Sequence, residues 1–68
     1  MSLFNINPEI KTQLLAERLQ QLNLEGYQHE LNKKTAEAIN NAEAVQQADD
    51  AIAIIQQAIA VTENELNG

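Results

Sequence analysis

From Leu24 to Leu66 the chain can be read in one unbroken 3-4 register, whose last seven positions are Val45, Ala48, Ile52, Ile55, Ile59, Thr62 and Leu66. A period of this kind belongs to a helix that lies against other helices. One residue out of phase, Ala44, Ala51, Ile54, Ala58 and Val61 form a second stripe. The helix is therefore apolar over more than the width that one neighbour covers, and more than one partner helix is expected.

Sixty-eight residues are expected to form a single domain, 1–68. A chain of this size buries only about 60% of the surface its unfolded form exposes, so its core needs a supplement. The sequence has no cysteine, which removes disulfides and thiolate metal sites, and His29 alone cannot build a metal centre. Oligomerisation is the supplement that remains. The missing cysteines also suit a reducing compartment, so a cytoplasmic location is expected. Met1 to Pro8 has no basic n-region followed by an apolar h-region, and no stretch approaches the roughly 18 apolar residues that cross a bilayer. The chain thus reads as soluble and unprocessed.

The formal charge of -6 is unevenly placed. Lys11, Arg18, Lys33 and Lys34 balance Glu9, Glu17, Glu25 and Glu30 in the first half. The second half carries Glu37, Glu43, Asp49, Asp50, Glu63 and Glu65 with no basic residue. An acidic face made of those six residues repels phosphate backbones and anionic lipid, which argues against direct nucleic-acid binding and against membrane binding. A basic protein partner is allowed, and a solvated face that keeps a small oligomer dispersed is the plainer reading.

Asn7-Pro8-Glu9 is a helix start: Asn caps, Pro suits the first helical position, and Glu9 faces the positive end of the dipole. Residues 1–7 read as an extended apolar arm carrying Leu3, Phe4 and Ile6, either a clasp folded onto the helices or a docking arm for another protein. Within the first helix the apolar residues change face. Leu15, Leu19 and Leu22 fall together, whereas Leu24, Tyr27, Leu31, Thr35 and Ala38 cluster nearly opposite at about 100° per residue. Either the helix breaks near Asn23 to Gly26, or it continues and meets different neighbours in its two halves. One glycine costs about 1 kcal/mol in a helix interior, which does not force a break. A continuous helix over about 8–39 is preferred, with Gly26 admitting a close side chain.

Asn40-Asn41 is the second boundary, since Asn tolerates the left-handed conformation that ends a helix, and Asn40 followed by Glu43 resembles a capping box. A single helix through this point is the alternative, but it would put Lys34 and Asn41 in the seam. The expected fold is all-α: an antiparallel hairpin of helices at about 8–39 and 42–66, pairing with a second chain into a four-helix bundle or a larger helical assembly. A turn at 40–41 pairs residues whose numbers sum to about 81, so that Leu22 comes near Ile59, Gly26 near Ile55, His29 near Ile52 and Ala36 near Val45. Leu22, Tyr27, Leu31, Val45, Ala48, Ile52, Ile55, Ile59 and Leu66 are expected in the intrachain seam. Leu15, Leu19, Ala51, Ile54, Ala58 and Val61 are expected at the oligomer interface.

Little here points to chemistry. Glu25 and His29 are four apart, a spacing that fits two ligands on one metal and equally an ordinary i,i+4 pair. The Glu-x-x-His motif of carboxylate-bridged di-metal bundles is absent. Asp49 and Asp50 diverge by about 100° on a helix, too far to share a proton. No metal, cofactor or catalytic residue is assigned, and no enzymatic activity is expected. The paired glutamines Gln20-Gln21, Gln46-Gln47 and Gln56-Gln57 suit lateral packing of like units or plain polar surface. The sequence thus predicts a non-enzymatic, self-associating helical protein that acts as an assembly, adaptor or accessory subunit, its partners being itself and another protein. The rival expectation is an acidic inhibitor, an antitoxin or nucleic-acid mimic, that occupies a basic cleft.

Overall fold

The computed structural model describes residues 4–68 and is an antiparallel helical hairpin of α1 (Pro8–Ala38) and α2 (Ala42–Asn67). Sequence signals set the start of α1 and the turn between the helices. The Asn7 side-chain oxygen accepts a 2.8 Å hydrogen bond from the Glu9 amide, and Pro8 occupies the first helical position. These satisfy one orphan donor and remove another. Nothing interrupts α1 at Gly26: the helix runs continuously for 31 residues.

The turn is built from two asparagines with different tasks. Asn40 adopts φ 58°, the left-handed conformation, and its amide donates to the Glu37 carbonyl at 3.1 Å. The Asn41 amide donates to the Ala36 carbonyl at 2.9 Å. This pair of bonds is the Schellman arrangement, which satisfies carbonyls left open at a helix end. Asn41 then caps α2, its side chain accepting from the Ala44 amide at 3.1 Å. The cap is therefore Asn41 and not Asn40, and Glu43 lies one position too early for a capping box, because Asn40 is consumed in closing α1.

The helices pack into a rod of 48 × 18 × 16 Å. Its core is small: among the described residues the buried apolar side chains are Leu22, Ala36, Ala48 and Ile55. Thr62 joins them at 3% exposure, its hydroxyl donating to the Ala58 carbonyl at 2.8 Å. That bond within its own helix lets a polar side chain sit in the seam without an unsatisfied group. Ion pairs tie the helices at two levels, Lys33 to Asp49 at 2.7 Å and Lys11 to Glu65 at 3.6 Å.

Candidate functional site: the uncovered apolar faces

The α2 side of the seam follows the expected register. Ala48, Ile55 and Thr62 are buried, and Val45, Ile52, Ile59 and Leu66 are half-buried. On α1 the register differs. The residues turned to α2 are Leu15, Leu19, Leu22, Gly26, His29, Lys33 and Ala36, all buried or half-buried. Tyr27 and Leu31, expected in the seam, are exposed at 58% and 45%. Leu15 and Leu19, expected at an oligomer interface, are half-buried toward the hairpin, and Leu19 shares a groove with Leu66.

The reason is angular. At about 100° per residue the Leu24, Tyr27, Leu31 row lies roughly 160° round the helix from the Leu15, Leu22, His29 row. One straight helix can turn only one of these rows to a single neighbour. Both rows keep a seven-residue spacing along α1, and the side turned to α2 is the one whose small members, Gly26 and Ala36, admit the bulky side chains of α2 and whose Lys33 finds Asp49. The signal was present in the sequence as an unbroken seven-residue spacing, Leu15-Leu22-His29-Ala36, beside Leu19-Gly26-Lys33. The pairing for a turn at 40–41 already sets Leu22, Gly26, His29 and Ala36 against α2, and Lys33 is the seam residue that the hydrophobic pattern does not mark.

The consequence is a large uncovered surface. Among the described residues ten large apolar side chains are exposed. Six of them, Ile10, Leu14, Leu24, Tyr27, Leu31 and Ile39, fall on one arc of α1 facing away from α2. Gln13, Gln20, Gln21, Gln28 and Thr35 fill the spaces between them, and Glu17 lies on that arc with Lys34 at its edge. A groove of about 500 Å³ lined by Ala16, Leu19, Leu24, Tyr27 and Leu66 joins this arc to the open end of the hairpin.

Ile54 and Val61, exposed at 67% and 62%, form a smaller patch on α2, with Ala51 and Ala58 half-buried at its edge. Glu43, Asp50 and Glu65 fall on the same flank of α2, while Asp49 and Glu63 fall on another. The six acidic residues thus do not form one face, and Asp49 and Glu65 are engaged by lysines. Hydrogen bonding to Asp49, then its charge, raises the Lys33 pKa above its ordinary 10.5. Glu37 lies on α1 in its last turn.

Phe4 and Ile6 stand over the start of α1, sharing a cleft with Leu14, Leu15, Lys11 and Glu65. Leu3 lies outside the described residues. His29 is half-buried beside Asn32, Ala44, Gln47 and Ala48, whereas Glu25 is exposed. Among the described residues no group of three or more His, Asp or Glu side chains could hold a metal ion, and no helix is long and apolar enough to cross a membrane. A small opening against the seam, about 220 Å³, is lined by Gly26, Tyr27, Ile52, Ile55 and Ile59 together with Asn23, Glu30 and Gln56.

No protein-family model, curated protein or solved structure matches the chain.

Proposed function

We propose that this chain is a self-associating, non-enzymatic helical subunit that works through protein-protein contacts as an assembly, adaptor or accessory protein. One observation carries the reading: ten large apolar side chains stay exposed around a core of four buried ones among the described residues. Scattered exposed leucines are ordinary, but six large apolar side chains gathered on one arc support a contact surface. A partner protein of the α2 flank would meet Ile54 and Val61 ringed by acidic side chains, which suits a basic rim. A cytoplasmic setting belongs to the same reading, through the absence of cysteine.

The acidic-inhibitor reading has less support, because Asp49 and Glu65 are already paired with lysines of α1. The test is thermal melting followed by circular dichroism across a hundredfold dilution series. Folding coupled to association makes the melting temperature rise with protein concentration. A melting temperature independent of concentration, with full helicity at the lowest one, would remove self-association from the proposal.

A further inference from the structure

We infer that a second copy of this chain packs antiparallel on the outer arc of α1, with Leu24, Tyr27 and Leu31 at the centre of the contact. The inference rests on the self-association proposed above and assigns it to a surface.

The area supports an occupant of this size. A compact 7.5 kDa monomer exposes about 4,200 Å² by the usual scaling with mass, whereas this chain exposes 5607 Å². The excess of about 1,400 Å² exceeds the roughly 800 Å² that each partner buries in a standard interface.

Charge selects the surface and the partner. The arc of α1 holds Glu17, with Lys34 at its edge, and otherwise pairs apolar side chains with uncharged amides. Two copies meeting there keep their α2 helices apart, each of which carries five acidic residues and no basic one. Meeting through Ile54 and Val61 would instead bring Asp50 and Glu43 of both copies together, a like-charge contact.

Charge also fixes the register. Leu24, Leu31, Glu17 and Ala38 are spaced by multiples of seven, as are Tyr27, Gln20, Lys34 and Gln13 beside them. In an antiparallel two-fold contact these rows interleave with residue numbers summing to about 51. Leu24 then faces Tyr27 of the second copy, Leu31 faces Gln20, and Glu17 faces Lys34. Among the described residues neither Glu17 nor Lys34 forms an ion pair within its own chain. The contact thus gives Glu17 and Lys34 of each copy an opposite charge in the other.

The test measures solution mass by sedimentation for five proteins, with circular dichroism on each. The wild type should be a dimer, Leu24→Glu a helical monomer, and Ile54→Glu a dimer. Glu17→Lys should weaken the dimer by about two- to thirtyfold, since a two-fold contact makes this exposed ion pair twice, and adding Lys34→Glu to it should restore the wild-type constant. Since Glu17 and Lys34 are exposed, this pair of variants reads the contact even if Leu24→Glu loses helicity. A dimer that Leu24→Glu leaves intact, or that Ile54→Glu dissociates, overturns the assignment to α1 while self-association stands. A double charge reversal that fails to restore the constant overturns the antiparallel register. A wild type that is monomeric at every concentration overturns the inference and the reading beneath it together.

Discussion

Ile55 and Gly26 meet at mid-hairpin: Ile55 Cγ2 lies 3.5 Å from where a Cβ on Gly26 would stand. That is ordinary van der Waals contact, so the site tolerates a methyl group but nothing longer. Gly26→Ala should raise stability by about 1 kcal/mol, because it removes a helix-interior glycine without a clash. Gly26→Leu should lower it by about 1–3 kcal/mol through overpacking. Chemical denaturation of the two variants checks the pair, and a destabilised Gly26→Ala would show that the helices are closer than described.

The seam of α2 should respond according to burial. Ile55→Ala, emptying the largest buried position, should cost about 2–4 kcal/mol. Thr62→Val should be neutral or stabilising by up to about 1 kcal/mol. The hydroxyl is satisfied by its own helix, and both bonded groups give way to a methyl of the same shape or to the existing helix bond. Melting curves of the two variants, measured at equal concentration, decide the contrast.

The turn should separate its two asparagines. Asn40→Gly should be tolerated or stabilising, and Asn40→Ala should cost about 1 kcal/mol, since only the first fits φ 58° without strain. Asn41→Ala should also cost about 1 kcal/mol through loss of the cap on Ala44. Equal effects of alanine and glycine at residue 40 would contradict the left-handed assignment.

The Lys33–Asp49 pair should appear in the pH dependence. The Lys33 pKa is raised by its partner, so its contribution is fully present below the ordinary lysine range and is lost as the pH rises through the raised value. The stability difference between wild type and Lys33→Gln should therefore be constant from neutral pH to about 9 and shrink above about 10.5. The effect is small, since both side chains are partly solvated and salt weakens it further. A difference that grows with pH in this range would contradict the pairing.

Much of the fold is legible in the sequence. Asn7-Pro8-Glu9 and Asn40-Asn41 mark ends that lie close to the observed ones, and the α2 register from Val45 to Leu66 reads directly as the seam. The sum rule for a turn at 40–41 also places Gly26 against Ile55. What misleads is α1, where hydrophobicity marks two opposite rows and the stronger-looking Leu24, Tyr27, Leu31 row is the one turned away. Packing against Ile55 and the Lys33–Asp49 pair depend on side chains that no hydrophobic pattern scores as core. Leu15 and Leu19 are misread for the same reason, because their row continues through Gly26, His29 and Lys33.

Whether the hairpin acts alone is decided by its solution mass, measured by light scattering over a dilution series with helicity followed on the same samples. A helical dimer at high concentration that dissociates or loses helicity on dilution is the expected result. A fully helical monomer at every concentration would contradict it, leaving the outer arc of α1 as a surface for some other protein.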